Sequence, residues 1–186
     1  MGASIVDRDR GFAAFFKQMA EVAGEHAVKV GILSASEKGG LHEVDPVTGK
    51  ASPLTIAEIA VVNEFGTQDG RIPPRPFVSS TFDEQRGKLQ DMAEKGCRRI
   101  AEGKLTPDQV LGMMGATLAA EVKKKVTTGS EIPPPNAPST LARKVGAGVW
   151  NRGGKAQRAA MGPRTLVNTG AMINAVTWQV VGSGDK

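Results

Sequence analysis

The chain holds one cysteine, Cys97, in 186 residues, so it can form neither an intrachain disulfide nor a cysteine-based metal cluster. That count allows a reducing compartment. Tyrosine is absent and aromatic residues make up only 4%. The only two histidines, His26 and His42, are too far apart for any metal-ligand spacing. No run of about 18 apolar residues occurs, which predicts no membrane-spanning helix. The opening MGASIVDRDRGF carries charges where a secretion signal needs an apolar stretch, which predicts no export. Position 6 is Val, where the usual myristoylation pattern wants Ser or Thr.

The same shortages argue against catalysis, a cofactor or a bound metal. Cys97 falls in a predicted helix and is expected to be a small buried thiol. The stretch Val145-Gly146-Ala147-Gly148-Val149 has no clear strand before it and no closing Gly-Lys-Ser/Thr, so it is not a phosphate loop. Asp83 and Glu84 are expected in the first turn of a helix, facing its positive end.

What the chain does have is glycine, proline and an uneven charge. It holds 23 Gly and 11 Pro, which suggests a globular domain with long irregular segments. The formal net charge is +5. Residues 1–131 carry 17 basic and 18 acidic residues, a net of −1. Residues 132–184 carry six basic residues and no acidic one: Arg143, Lys144, Arg152, Lys155, Arg158 and Arg164. The excess therefore belongs to one Gly- and Pro-rich segment. It could be a solvated loop, or an electrostatic contact with an acidic protein surface or nucleic acid. Six neutralised phosphates would give a salt slope of roughly −5. Trp150 is the lone aromatic there, which argues against base-specific binding.

Apolar spacing and capping signals lay out the elements. Phe12, Phe15, Phe16, Met19 and Ala23 predict a helix over about 9–23. Alternation of Val28, Val30 and Ile32 predicts a strand over 27–33. Residues 34–53, with Gly39-Gly40, Asp45-Pro46 and Thr48-Gly49, predict a mobile loop or a weak hairpin. Thr55 and Glu58 form a capping box for a helix over 56–65, which Gly66 ends. Arg71–Phe77 holds three prolines and is expected to be extended and stiff. A helix over about 82–102 follows, with Thr81 as cap, Phe82, Leu89, Met92, Ala93 and Ile100 as apolar side, and Gly103 as stop. Thr106, Pro107 and Gln109 start the next helix. Its stripe is Leu111, Met114, Leu118, Val122 and Val126, with Lys123–Lys125 near its negative end and Gly129 as stop. Residues 139–144 predict a short helix and 146–164 a loop or arm. Thr169 is expected to cap a helix over 170–175, and Val176, Trp178 and Val180 predict a final strand.

This order predicts an α+β fold, with helices packed on a small, mostly antiparallel sheet and long Gly/Pro-rich loops. Residues 1–131 form a helix-rich core portion with the first strand. Residues 132–165 form a Pro/Gly-rich basic arm, and residues 166–186 complete the same single domain.

Two blocks carry a resemblance. Ile56–Thr67 contains Glu64-Phe65-Gly66-Thr67, and Ile72–Phe77 reads Ile-Pro-Pro-Arg-Pro-Phe. Pro138–Lys144 and Leu166-Val167-Asn168-Thr169-Gly170-Ala171-Met172 form the second block. Their order and spacing over most of residues 10–182 resemble the tailed-phage tail-completion and neck proteins, of the Mu-like virion morphogenesis and lambdoid minor tail component type. The chain departs from that pattern at Asn168, where Asp is usual, and in a longer connection over 145–165. The resemblance implies a non-enzymatic virion protein, present in the host cytoplasm during assembly. It would form a ring of six or twelve subunits that completes the tail and joins it to the head connector. Further implied partners are tail tube or terminator proteins, with DNA passing through the lumen. The alternative is a nucleic-acid-binding packaging or regulatory factor acting through the basic arm over 143–164.

Within the first block two readings stand. Phe65 and Phe77 could be core anchors, with Arg75 paired to an acid such as Glu64. Or Arg75 could make a subunit contact. Glu64, Phe65, Arg75 and Phe77, together with Arg143, Lys144, Trp150, Arg152, Lys155, Arg158 and Arg164, are the candidate subunit or partner interface. The loops 34–53 and 132–165 are expected to reach neighbours. An arm of about 20 residues spans up to roughly 70 Å extended but only about 25 Å as a coil. Limited proteolysis of the free protein is expected to cut first within 145–165, and protection there in the free monomer would count against an arm that orders on a neighbour.

Overall fold

A computed structural model of the chain describes residues 26–34, 36–44, 49–128, 132–135, 137–138 and 170–182, together with Lys17, Ala20, Gly24 and Leu166. The elements in chain order are β1 (Ala27–Gly31), β2 (His42–Val44), β3 (Ala51–Thr55), α1 (Ile56–Phe65), α2 (Val78–Ala101), α3 (Pro107–Thr128), α4 (Ala171–Ala175) and β4 (Thr177–Val181). The fold is α+β, as its pattern predicts. Strand β1 pairs with β4, and β2 pairs with β3 in an antiparallel hairpin. The chain divides into two compact units, one of residues 1–29, 87–115 and 179–186, the other of residues 30–86 and 116–178.

The second unit holds an apolar cluster drawn from distant stretches of chain. Ile56 and Ala60 of α1, Phe77, and Ala119, Val122 and Val126 of α3 meet Ile132, Met172, Ala175 and Val176. Spacings of three and four residues place Ala119, Val122 and Val126 on one side of α3. Val122 and Val126 belong to the predicted stripe and are fully buried, and Ala119, outside that stripe, joins them. Val30, Ile32, Leu166 and Ile173 pack against the edge of the cluster. Helix α1 rests on α4 and on β3.

In the hairpin, His42 faces Thr55 and Val44 faces Ala51, so β3 carries the extra residues of a bulge. The cause is Pro53, which cannot donate to a ladder. His42 Nδ1 donates to the Ser52 carbonyl at 2.8 Å, and the Leu54 N–H turns to Ser52 Oγ at 3.1 Å.

The first unit contains the turn between α2 and α3. Gly103 adopts φ 72°, its N–H donates to Ile100 O, and the Lys104 N–H reaches Arg99 O. Those two bonds form a Schellman stop, which needs the left-handed residue that glycine supplies. Thr106 and Gln109 complete their reciprocal cap at 3.0 and 3.3 Å. Gly96 lies against Val110: a Cβ at Gly96 would sit 2.3 Å from Val110 Cγ1.

Three local expectations are corrected. Cys97 is exposed, because the inward position of its turn is taken by Gly96. Helix α2 starts at Val78 rather than near Phe82, so Thr81 lies inside it, buried, donating its hydroxyl to Phe77 O at 2.6 Å. That puts Asp83 and Glu84 beyond the first turn. Phe82 is exposed, with the Arg86 guanidinium 5.8 Å from its ring centre, rather than on the apolar side. At α4, Gly170 occupies the N-cap with φ 84° and no side chain caps the helix. Thr169, the short helix over 139–144 and most of the helix over 9–23 lie outside the described residues.

Gly96→Ala is expected to lower stability by roughly 1–3 kcal/mol, read as a fall in the melting temperature, because the added methyl overpacks Val110. An unchanged melting temperature would mean that the two helices separate there at no cost.

Candidate interaction site

The site grows from α1 and the chain that follows it. The first N–H groups of this helix are all satisfied. Ile56 donates to Leu41 O at 2.8 Å, Ala57 to Gly39 O at 3.0 Å and Glu58 to Thr55 Oγ1 at 3.3 Å. In return Glu58 Oε2 accepts from the Thr55 N–H at 2.8 Å, completing the capping box. The Thr55 N–H, then its hydroxyl, hold the Glu58 carboxyl below its usual range. The loop before β2 is thus tied to the helix start.

At the other end Gly66 turns the chain with φ 75°, its N–H on Val62 O at 2.8 Å. A Cβ there would meet Ile72 O and Pro74 N, both at 2.8 Å, so only glycine fits the close return of the chain. Thr67 closes the loop twice: its N–H donates to Ile72 O at 2.9 Å and its hydroxyl accepts from the Ile72 N–H at 3.0 Å. The Arg75 N–H then returns to Asn63 O at 2.7 Å. Asp69 accepts from the Arg71 N–H at 3.1 Å, and hydrogen bonds from Thr67 and Arg71 depress its carboxyl.

This closed loop brings Glu64 under the start of α2. Glu64 is 8% exposed. Its Oε2 accepts from the N–H groups of Phe77 at 2.8 Å and Val78 at 3.0 Å, and its Oε1 from the Ser79 N–H at 2.9 Å and the Ser79 hydroxyl. The first turn of a helix presents free donors and the positive end of its dipole, so a carboxylate fits it chemically. α2 is therefore capped by a side chain 13 residues before its first donor.

Arg75 does not pair with Glu64. Its Nε donates to Pro134 O at 2.9 Å and its Nη2 to Pro135 O at 3.3 Å. Prolines lack an N–H and cannot enter a regular ladder, which leaves their carbonyls available to such a donor. Burial pulls the Arg75 pKa down from its ordinary value, though a guanidinium stays charged. The start of the predicted arm is thus fastened to the Arg-Pro-Phe segment, with Ile132 buried beside it.

Phe77 is a core anchor, 1% exposed. Phe65 is not: it is 75% exposed. The reason is helical geometry. Ala57, Ala60 and Glu64 share the inward side, and that sends Val61 and Phe65, four residues apart, outward. Val61 is 57% exposed. Leu41, Val44, Leu54 and Ile72 add exposed apolar residues on the same unit.

Of the candidate residues, Glu64, Arg75 and Phe77 come together in one knot, and Phe65 faces solvent beside it. Arg143, Lys144, Trp150, Arg152, Lys155, Arg158 and Arg164 lie outside the described residues. Sequence reasoning missed Val61, Ser79 and the Pro134 and Pro135 carbonyls. A signal existed for Val61: α1 is apolar nearly all round, more than one buried face needs. Among the described residues no group of three His, Cys, Asp or Glu side chains is placed to hold a metal ion. His26 Nδ1 lies 3.0 Å from Asp108 Oδ1. No helix among the described residues is long and apolar enough to cross a membrane. No protein-family model matches the chain, and no curated protein or solved structure shows a significant match.

Glu64→Ala is expected to cost about 2 kcal/mol or more, because three N–H groups of a half-buried helix start lose their acceptor. Glu64→Gln keeps one acceptor oxygen and should cost less. Urea unfolding of the two variants would read the difference, and equal losses would contradict capping by the carboxylate.

Proposed function

We propose that this protein is a non-enzymatic structural component of a tailed-phage particle, acting at the neck or tail end as an oligomeric ring that completes the tail and joins it to the head connector. The observation that carries the reading is the outward side of α1. Val61 and Phe65 stand exposed on a short helix whose two ends are fixed by capping and by the Gly66–Arg75 loop. A rigid, apolar, solvent-facing helix side suits protein contact, since little ordering entropy remains to be lost on binding. The resemblance of the Glu-Phe-Gly-Thr and Ile-Pro-Pro-Arg-Pro-Phe blocks supports the same class. These blocks build the knot that presents the helix. Adjacent rings of connector, terminator or tube protein are the proposed partners, with the particle as the place of action.

Native mass spectrometry of the full chain tests the reading. A closed assembly of six or twelve copies is expected. The double variant Val61→Ser, Phe65→Ser is expected to keep its melting temperature within a few degrees, since both side chains are exposed, and to shift the mass distribution toward smaller species. A wild-type protein that stays monomeric at every concentration would overturn the ring. If that monomer also retards DNA in gels with a steep salt dependence, the alternative role in nucleic-acid binding would replace it.

A further inference from the structure

Among the described residues no third strand pairs with the β1–β4 ribbon. Four strands are present among the described residues, and they pair only as β1 with β4 and β2 with β3. A two-stranded ribbon therefore offers the outer edge of β1 and the outer edge of β4, each a row of backbone donors and acceptors.

The two ribbons treat their edges differently. The β2–β3 hairpin is blunted: Pro53 removes a donor, the register breaks at a bulge, and the His42 side chain takes up the Ser52 carbonyl. These are the usual devices that keep an edge from pairing with another chain. β4 has none of them. Its sequence, Thr-Trp-Gln-Val-Val, carries no charge, no proline and no glycine, and three of its five residues are β-branched. Trp178 on it is 40% exposed. β1, Ala-Val-Lys-Val-Gly, carries a single charge at Lys29. A strand of high sheet preference with an unguarded edge is a template for strand addition.

We propose that the occupant is a second copy of this chain, joined head to tail, with the outer edge of β4 in one copy pairing with the outer edge of β1 in the next. The proposal rests on the ring reading above and adds a main-chain contact between copies to the apolar one at Val61 and Phe65. Two features of the ribbon choose this arrangement. One ribbon supplies one edge of each kind, so pairing β4 with β1 uses every edge once and repeats without end. Such a heterologous contact closes into a ring when its rotation permits. Pairing β4 with β4 across a two-fold axis would stop at a dimer and leave both β1 edges open. Main-chain hydrogen bonds would give the contact its register, and Trp178 would add contact area beside the junction.

Disulfide trapping tests this in the full chain. Single cysteines are placed at Ala27 or Lys29 in β1, and at Thr177, Trp178 or Gln179 in β4, all in a Cys97→Ser background because Cys97 is exposed. Neighbouring strands lie about 4.8 Å apart, within the span a disulfide bridges. Because each protein carries one thiol, any bond formed joins two copies. The expected result is a covalent dimer on mixing a β1 variant with a β4 variant, at one register, and none from either variant alone. Native mass spectrometry of the same samples counts the copies. Self-linking of β4 variants would overturn the head-to-tail arrangement in favour of a two-fold one. A ring that forms while no β1–β4 mixture links would overturn the edge contact and leave the ring standing. If no assembly of any size forms, both fail.

Discussion

The Glu64 carboxylate under the first turn of α2 is the interaction on which the rest of this structure depends. It fixes the rotation of α1, because the side that carries Glu64 must face inward. It fixes the start of α2, because three successive N–H groups converge on its two oxygens. A buried carboxylate is costly unless hydrogen-bonded, and here it accepts four hydrogen bonds. The loop from Gly66 to Arg75 is the connection that lets one side chain reach across. Its closures at Thr67, Ile72 and Asn63 keep that reach short.

The order of elements was legible wherever the signal was local. Thr55 and Glu58, Thr106 and Gln109, and the stop at Gly103 are written within a few residues, and each forms as its spacing implies. The stripe of α3 was legible because a long helix averages its periodicity over many turns. Where the controlling partner lies far along the chain, the local signal misled. Thr81 has the chemistry of a cap and lies near a helix start, but a distant carboxylate had already satisfied the turn before it. Cys97 faces solvent, against its local pattern, because a glycine one position earlier takes the inward place. For Phe65 the sequence admits both an anchor and an interface residue, and only the placement of Glu64 decides which way it points. The partnership of Arg75 with proline carbonyls about sixty residues away has no signature in sequence spacing.

The candidate site was legible in outline for a different reason. Four of its residues fall in one contiguous block, Asn63–Ser79, whose backbone closes on itself, so that motif in sequence is also a unit in space. What the motif could not convey was the division of labour inside it. Glu64, Gly66, Arg75 and Phe77 hold the unit together, whereas Phe65 faces solvent. A short motif can thus be mostly architecture and still end in a single side chain offered to the outside.

That division has a consequence for how such a protein changes over time. On α1 the residues that hold the fold and the residues that face solvent alternate around one helix, only about 100° apart. Substitution at positions 61 and 65 leaves the capping of α2 and the Gly66 return untouched. The solvent-facing side of the helix can therefore be rewritten one exposed side chain at a time without renegotiating the fold.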